Sequence, residues 1–106
     1  MTYHPFALIL LTLSPSLYAA DFGNSALGKM KSPSCVFCHN PTSPSTNSTY
    51  PNLSGQDPLY LFNAMKAYQN GDRQGDYADM MRAQLSKLND QDLKDITAFY
   101  SSQDSE

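Results

Sequence analysis

The run Cys35-Val36-Phe37-Cys38-His39 constrains this chain more than any other stretch, because it holds both cysteines and one of the two histidines. Cys-x-x-Cys-His is the spacing that attaches a c-type haem. On one helical turn the cysteines share a face, so both sulfurs reach the vinyl groups along one porphyrin edge and form thioethers. His39 then falls beneath the ring and offers an imidazole nitrogen to the iron. Three other chemistries use similar residues. A zinc site needs four ligands, and no Cys or His follows His39 to complete the set. A thioredoxin-like dithiol calls for a strand-helix-strand setting, and no strongly alternating or β-branched run occurs here. A plain disulfide in a small exported protein stays open, but it gives His39 no task.

Residues 1–20 differ in kind from the rest. Phe6 to Leu13 is a short apolar run, followed by Ser14-Pro15 and the small residues Ala19-Ala20. This reads as a secretory signal peptide, too short for a membrane span. Its first five residues lack Lys and Arg, and Tyr18 is bulky for the position three before a cut after Ala20. A cut after Ala19 puts Leu17 there instead, and an uncleaved anchor is the other reading. Removal of 1–20 leaves one domain, 21–106, and takes His4 away. A domain so small buries a marginal core unaided, and a porphyrin tied in covalently supplies apolar interior. All seven Lys and Arg and all ten Asp and Glu lie in that domain. The acidic balance disfavours nucleic acid as a partner.

The domain reads as all-α, four to five short helices around one covalent haem. Asp21 to Lys31 is a first helix, with Ala26, Leu27 and Met30 as its apolar positions and Gly28 as a gap that invites close approach. Met30 is read as core rather than ligand. Ser32-Pro33-Ser34 breaks the helix before the haem motif. Asn40 to Tyr50, rich in Ser, Thr, Pro and Asn, is a loop at a haem edge. It contains Asn47-Ser48-Thr49, which like Asn52-Leu53-Ser54 is a chance sequon in a bacterial protein. Pro51 to Gly55 is a turn, and the Pro51 carbonyl is a candidate acceptor for the second ring nitrogen of His39.

Asp57-Pro58 starts a helix that Asn70-Gly71 stops, with Leu61, Met65 and Tyr68 as its buried face. Met65 is therefore assigned to the core. Gly71 to Asp76 is an exposed turn. In Tyr77 to Leu88 two methionines are adjacent and face differently: Met81 shares a stripe with Leu85 and Leu88, Met80 with Gln84 and Lys87. Packing is the ordinary role of such a methionine. A haem needing a sixth ligand favours Met81, because His39 with a thioether is a standard pair and no other histidine is left. A last helix begins at Asn89 or Asp90, its early acids Asp90, Asp92 and Asp95 favoured by the helix dipole. Leu93, Ile96, Thr97 and Tyr100 form its inner stripe, with Phe99 at the edge, and 101–106 is a polar tail that frays.

Taken together, the domain resembles a class I cytochrome c of the small bacterial kind, similar to one half of the periplasmic dihaem cytochromes c. Gly28, ahead of the motif, matches the family's glycine where first and last helices cross, and Phe99 matches the aromatic packed on it. Pro51-Asn52-Leu53-Ser54-Gly55-Gln56 resembles the proline-to-Gly-Gln turn whose carbonyl supports the haem histidine, and Met81-Arg82 matches the ligand methionine. The resemblance implies haem attachment outside the cytoplasm and a periplasmic one-electron carrier between redox proteins, not an enzyme. The single haem motif departs from the dihaem pattern. Partner docking is expected to be weak, with Lys29, Lys31 and Lys87 as scattered, mainly solvated charges. A haem enzyme or gas-binding sensor with an open distal site is the rival, although no distal histidine or acid-base pair is evident. An unhaemed interaction module held by a disulfide is a third reading.

Overall fold

The computed structural model describes residues 1–2, 22–42 and 50–104. The signal-peptide reading, the Asn47 sequon and most of the loop before Tyr50 therefore lie outside the described residues. Within them the chain forms five helices and no strand: α1 (Ser25–Lys31), α2 (Pro33–Val36), α3 (Pro58–Gln69), α4 (Ala78–Leu85) and α5 (Asp90–Ser101).

Local chemistry fixes most of the starts. The Asn24 side chain accepts from Leu27 N–H at 3.0 Å, and Asp57 from Tyr60 N–H at 2.8 Å with Pro58 in the first turn. α5 opens with a reciprocal cap, in which Asn89 accepts from Asp92 N–H at 2.8 Å and Asp92 from Asn89 N–H at 3.0 Å. The first helix thus starts at the Asn24 cap, later than the expected Asp21. Ser32 separates α1 from α2. It is fully buried, and its hydroxyl donates to Gly28 O at 2.5 Å.

α1 packs on α5, and α3 packs on both α5 and α4. The contact face of α1 differs from the expectation. Ala26, Leu27 and Met30 are exposed, Met30 to 74%, and the buried position is Gly28. A Cβ at Gly28 would collide with the Asp95 carbonyl and come within 2.8 Å of Phe99 Cβ. The helix meets its partner through bare backbone, so its larger side chains are turned away.

Asp95 seals this crossing. Its carboxylate, 1% exposed, accepts from Asn24 N–H at 2.8 Å, Lys31 Nζ at 2.6 Å and Gln91 Nε2 at 2.9 Å. Lys31 also reaches Asp92 at 2.9 Å, so it is a structural tie rather than a solvated charge. The Asn24 N–H and then Lys31 hold the Asp95 carboxyl below its ordinary range. Below the crossing, Leu61, Ile96, Phe99 and Tyr100 form the core, with Cys35, Val36, Leu53 and Leu88 packed against it. At the other end, Ser101 closes α5, and Ser102 Oγ and Gln103 Nε2 both donate to Phe99 O at 2.9 Å, so the tail is tied at least to Gln103.

Gly28→Ala should lower stability by about 1–3 kcal/mol or more through overpacking, read by denaturant unfolding of the holoprotein. Asp95 sets an acid limit. Its folded carboxyl lies below its unfolded value, so its contribution is present above that value and is lost as pH falls through the folded one. Asp95→Asn is expected to be less stable at neutral pH and to lose less of that stability on acidification, measured by unfolding across pH 2–7.

Candidate functional site

α2 carries Cys35, and the turn that follows it carries Cys38. Cys35 and Val36 N–H groups donate to Ser32 O, and those of Cys38 and His39 to Cys35 O at 3.2 and 2.7 Å. One winding of backbone thereby sets Cys35, Cys38 and His39 beside each other. The two thiols are unpaired and half-buried, and burial pushes the Cys35 thiol up.

His39 is 9% exposed, and its Nδ1 lies 2.7 Å from Pro51 O. A carbonyl can only accept, so Nδ1 carries the proton of this bond, and in the neutral ring Nε2 is the nitrogen left with a lone pair. The Pro51 turn is built from its own side chains. Asn52 Oδ1 accepts from Ser54 N–H at 3.1 Å, and Gln56 Nε2 donates to Asn52 O at 2.6 Å. Tyr100 joins the two parts. Its phenol donates to His39 O at 2.6 Å, and its carbonyl accepts from Gly55 N–H at 3.0 Å.

Met81 comes from α4, half-buried, on a stripe with the buried Leu85. Its neighbour Met80 is exposed. α3 fixes where α4 sits: Gln69 Nε2 donates to Leu85 O at 2.9 Å and Leu88 O at 3.0 Å, and Arg82 Nε donates to Tyr68 O at 3.3 Å. The helix is preceded by Tyr77 at its cap, whose φ of 65° is left-handed, a conformation that costs a non-glycine residue about 1–3 kcal/mol. The Tyr77 ring meets Tyr50 edge-on at 5.7 Å.

These elements enclose one cavity of about 750 Å³, lined by Cys35, Cys38, His39, Pro51 and Met81 together. That volume falls within the range of about 300–1,000 Å³ usual for cofactor sites. The Met81 sulfur lies near His39. Leu61, Leu85 and Ile96 supply apolar wall, and among the described residues Arg73 and Asp76 are the only charged ones in the lining. Met65 also lines the cavity and is half-buried, so it is wall rather than closed core; Met80 lines it from the rim. Among the described residues no group of three or more His, Cys, Asp or Glu could hold a metal ion. Two thiols on one turn, an imidazole with a free Nε2, a thioether from another helix and apolar walls fit a covalently attached haem.

Sequence reading missed Tyr100, Gln69 and Ser32 as parts of this arrangement. Tyr100 was visible only as an inner-stripe aromatic; its phenol's partner lies 61 positions away. Gln69 has no local signal, since its acceptors lie 16 and 19 positions away, whereas Ser32 was visible only as part of the Ser-Pro break although its bonds are local.

No protein-family model matches the chain. Over 82 residues it is 42% identical to cytochrome c-554(548) of Halomonas halodenitrificans, covering 77% of this chain and 99% of that protein. It is 36% identical over 95 residues to cytochrome c4 of Pseudomonas aeruginosa, covering 90% of this chain but 46% of that protein, about half its length. A thiosulfate dehydrogenase electron acceptor of Stutzerimonas stutzeri is 28% identical over 68 residues, 64% of this chain and 32% of that protein.

Gln69→Ala should free two carbonyls at the end of α4 and lower stability by about 1–2 kcal/mol. Amide exchange at 85–89 should accelerate more than in α5.

Proposed function

The chain belongs to the class I monohaem cytochromes c, which are electron-transfer proteins, and from that premise we propose how its residues hold and serve one covalent haem c. Cys35 and Cys38 would carry the thioethers, His39 and Met81 would be the residues that ligate the iron, and the Pro51 carbonyl orients His39. One observation carries this reading: these five residues, from separated segments, line a single largely apolar cavity.

When bound, haem c supplies a ferric-ferrous couple that changes by one electron. The chain's part is to hold, orient and exclude water. With both iron ligands drawn from the chain, transfer would require no ligand exchange. With haem bound, the Met81 thioether would favour the ferrous state, and so would the apolar walls, which disfavour extra charge. The Pro51 hydrogen bond works the other way, since it makes His39 a more basic ligand. Arg73, held 4.8 Å from the Tyr68 ring centroid, brings a positive charge to the cavity's edge.

Residues 1–20 act as the export signal and 21–106 as the cytochrome domain, which works in the periplasm. The apolar run before Ala19-Ala20 and the bacterial relatives support this. No helix among the described residues is long and apolar enough to cross a membrane. The partners are oxidoreductases that give or take one electron in brief encounters. The relative named as an electron acceptor of thiosulfate dehydrogenase supports that class of partner.

Met81→Ala should abolish the ferric charge-transfer band diagnostic of methionine sulfur, while Met80→Ala keeps it. A wild-type holoprotein that is high-spin and binds carbon monoxide readily would sink this ligand set. Sequencing the N-terminus of the periplasmic holoprotein should read from residue 20 or 21.

A further inference from the structure

We propose that Tyr100 is a positioning residue for His39, gripping the histidine's backbone and the turn that holds its ring. The proposal rests on His39 being the proximal haem ligand. Its basis is a closed circuit of hydrogen bonds. The Tyr100 phenol donates to His39 O at 2.6 Å, the Tyr100 carbonyl accepts from Gly55 N–H at 3.0 Å, and Pro51 of that same turn accepts from His39 Nδ1 at 2.7 Å. One residue of α5 thus sets the distance between the two anchor points of the imidazole.

The Tyr100 end of the circuit is shielded from water, whereas Pro51 and Gly55 of the turn are exposed. Tyr100 is 1% exposed, its ring packs against Phe99 at 5.1 Å, and burial raises its phenol well above the ordinary tyrosine range. The hydroxyl therefore stays protonated and can only be satisfied inside the protein. A purely structural tyrosine needs some acceptor. This one takes the carbonyl of His39, which fixes the peptide on which that side chain pivots. Without that bond His39 can tilt, and its Nδ1–H···O bond to Pro51 lengthens. A weaker bond there makes the imidazole less basic, so the ferric state loses support and the midpoint potential moves up.

Tyr100→Phe keeps the ring and removes the donor. In the oxidised holoprotein it should shift the hyperfine-displaced His39 ring resonances and raise the midpoint potential. It should also speed exchange of the His39 Nδ1 proton by about fivefold, the factor represented by a typical net hydrogen bond. Leu93→Val is the control, because Leu93 is fully buried but does not line the cavity. It should lower stability and leave all three readouts alone. If Tyr100→Phe behaves like that control, the positioning role is wrong while His39 ligation stands. If the wild-type holoprotein shows no proximal imidazole resonances, the ligand reading fails and the proposal with it.

Discussion

The crossing of α1 over α5 at Gly28 is the contact on which the rest of the structure depends. It is close because one partner contributes no side chain, and a close crossing lets the capping amide and the last lysine of α1 reach a carboxylate on α5. Asp95 accepts there from the start of α1 through Asn24 and from its end through Lys31. Both ends of a seven-residue helix are therefore fixed from one side chain. A helix so short has little stability of its own, and the crossing supplies what propensity does not.

From that crossing the constraint passes to the site through short covalent and hydrogen-bonded steps. Ser32 bonds back to Gly28 O and accepts from the Cys35 and Val36 amides, so the haem-binding turn hangs directly from the packed end of α1. α5 holds the same turn from the other side through Tyr100. Two helices distant in sequence thus fix one five-residue segment at its entrance and at its exit. The apolar core under them includes Cys35 and Val36, which makes the attachment segment part of the hydrophobic interior.

How far the sequence revealed this depends on the range of the interaction. Caps at Asp57 and Asn89 and the stripe of Leu93, Ile96 and Tyr100 are local patterns, and α3 and α5 form as those patterns imply. The residues singled out for the site are drawn together in one cavity, because a tight attachment motif and a methionine on an apolar stripe are also local signals. α1 misled for a physical reason: apolar side chains usually mark the buried face, but here a glycine does, and Leu27 and Met30 point outward. Asp95 misled similarly. An acid early in a helix suits the dipole, and nothing in its neighbours says that its acceptors are filled from Asn24 and Lys31.

The two sides of the cavity are held by different means, and this gives the site an internal gradient of stability. On the His39 side the bonds run through Tyr100, Ser32 and the Pro51 turn, and both the phenol and the serine hydroxyl are buried. The Met81 side rests on α4, eight residues long, which follows a left-handed Tyr77 without a side-chain cap. Its ion pair, Arg82 with Asp79 at 3.6 Å, is largely solvent-exposed and adds little. Among the helices α4 packs chiefly on α3, whereas α5 is gripped by both α1 and α3. Local opening draws on the least supported element first. The methionine side is accordingly held by fewer and more exposed ties than the histidine side.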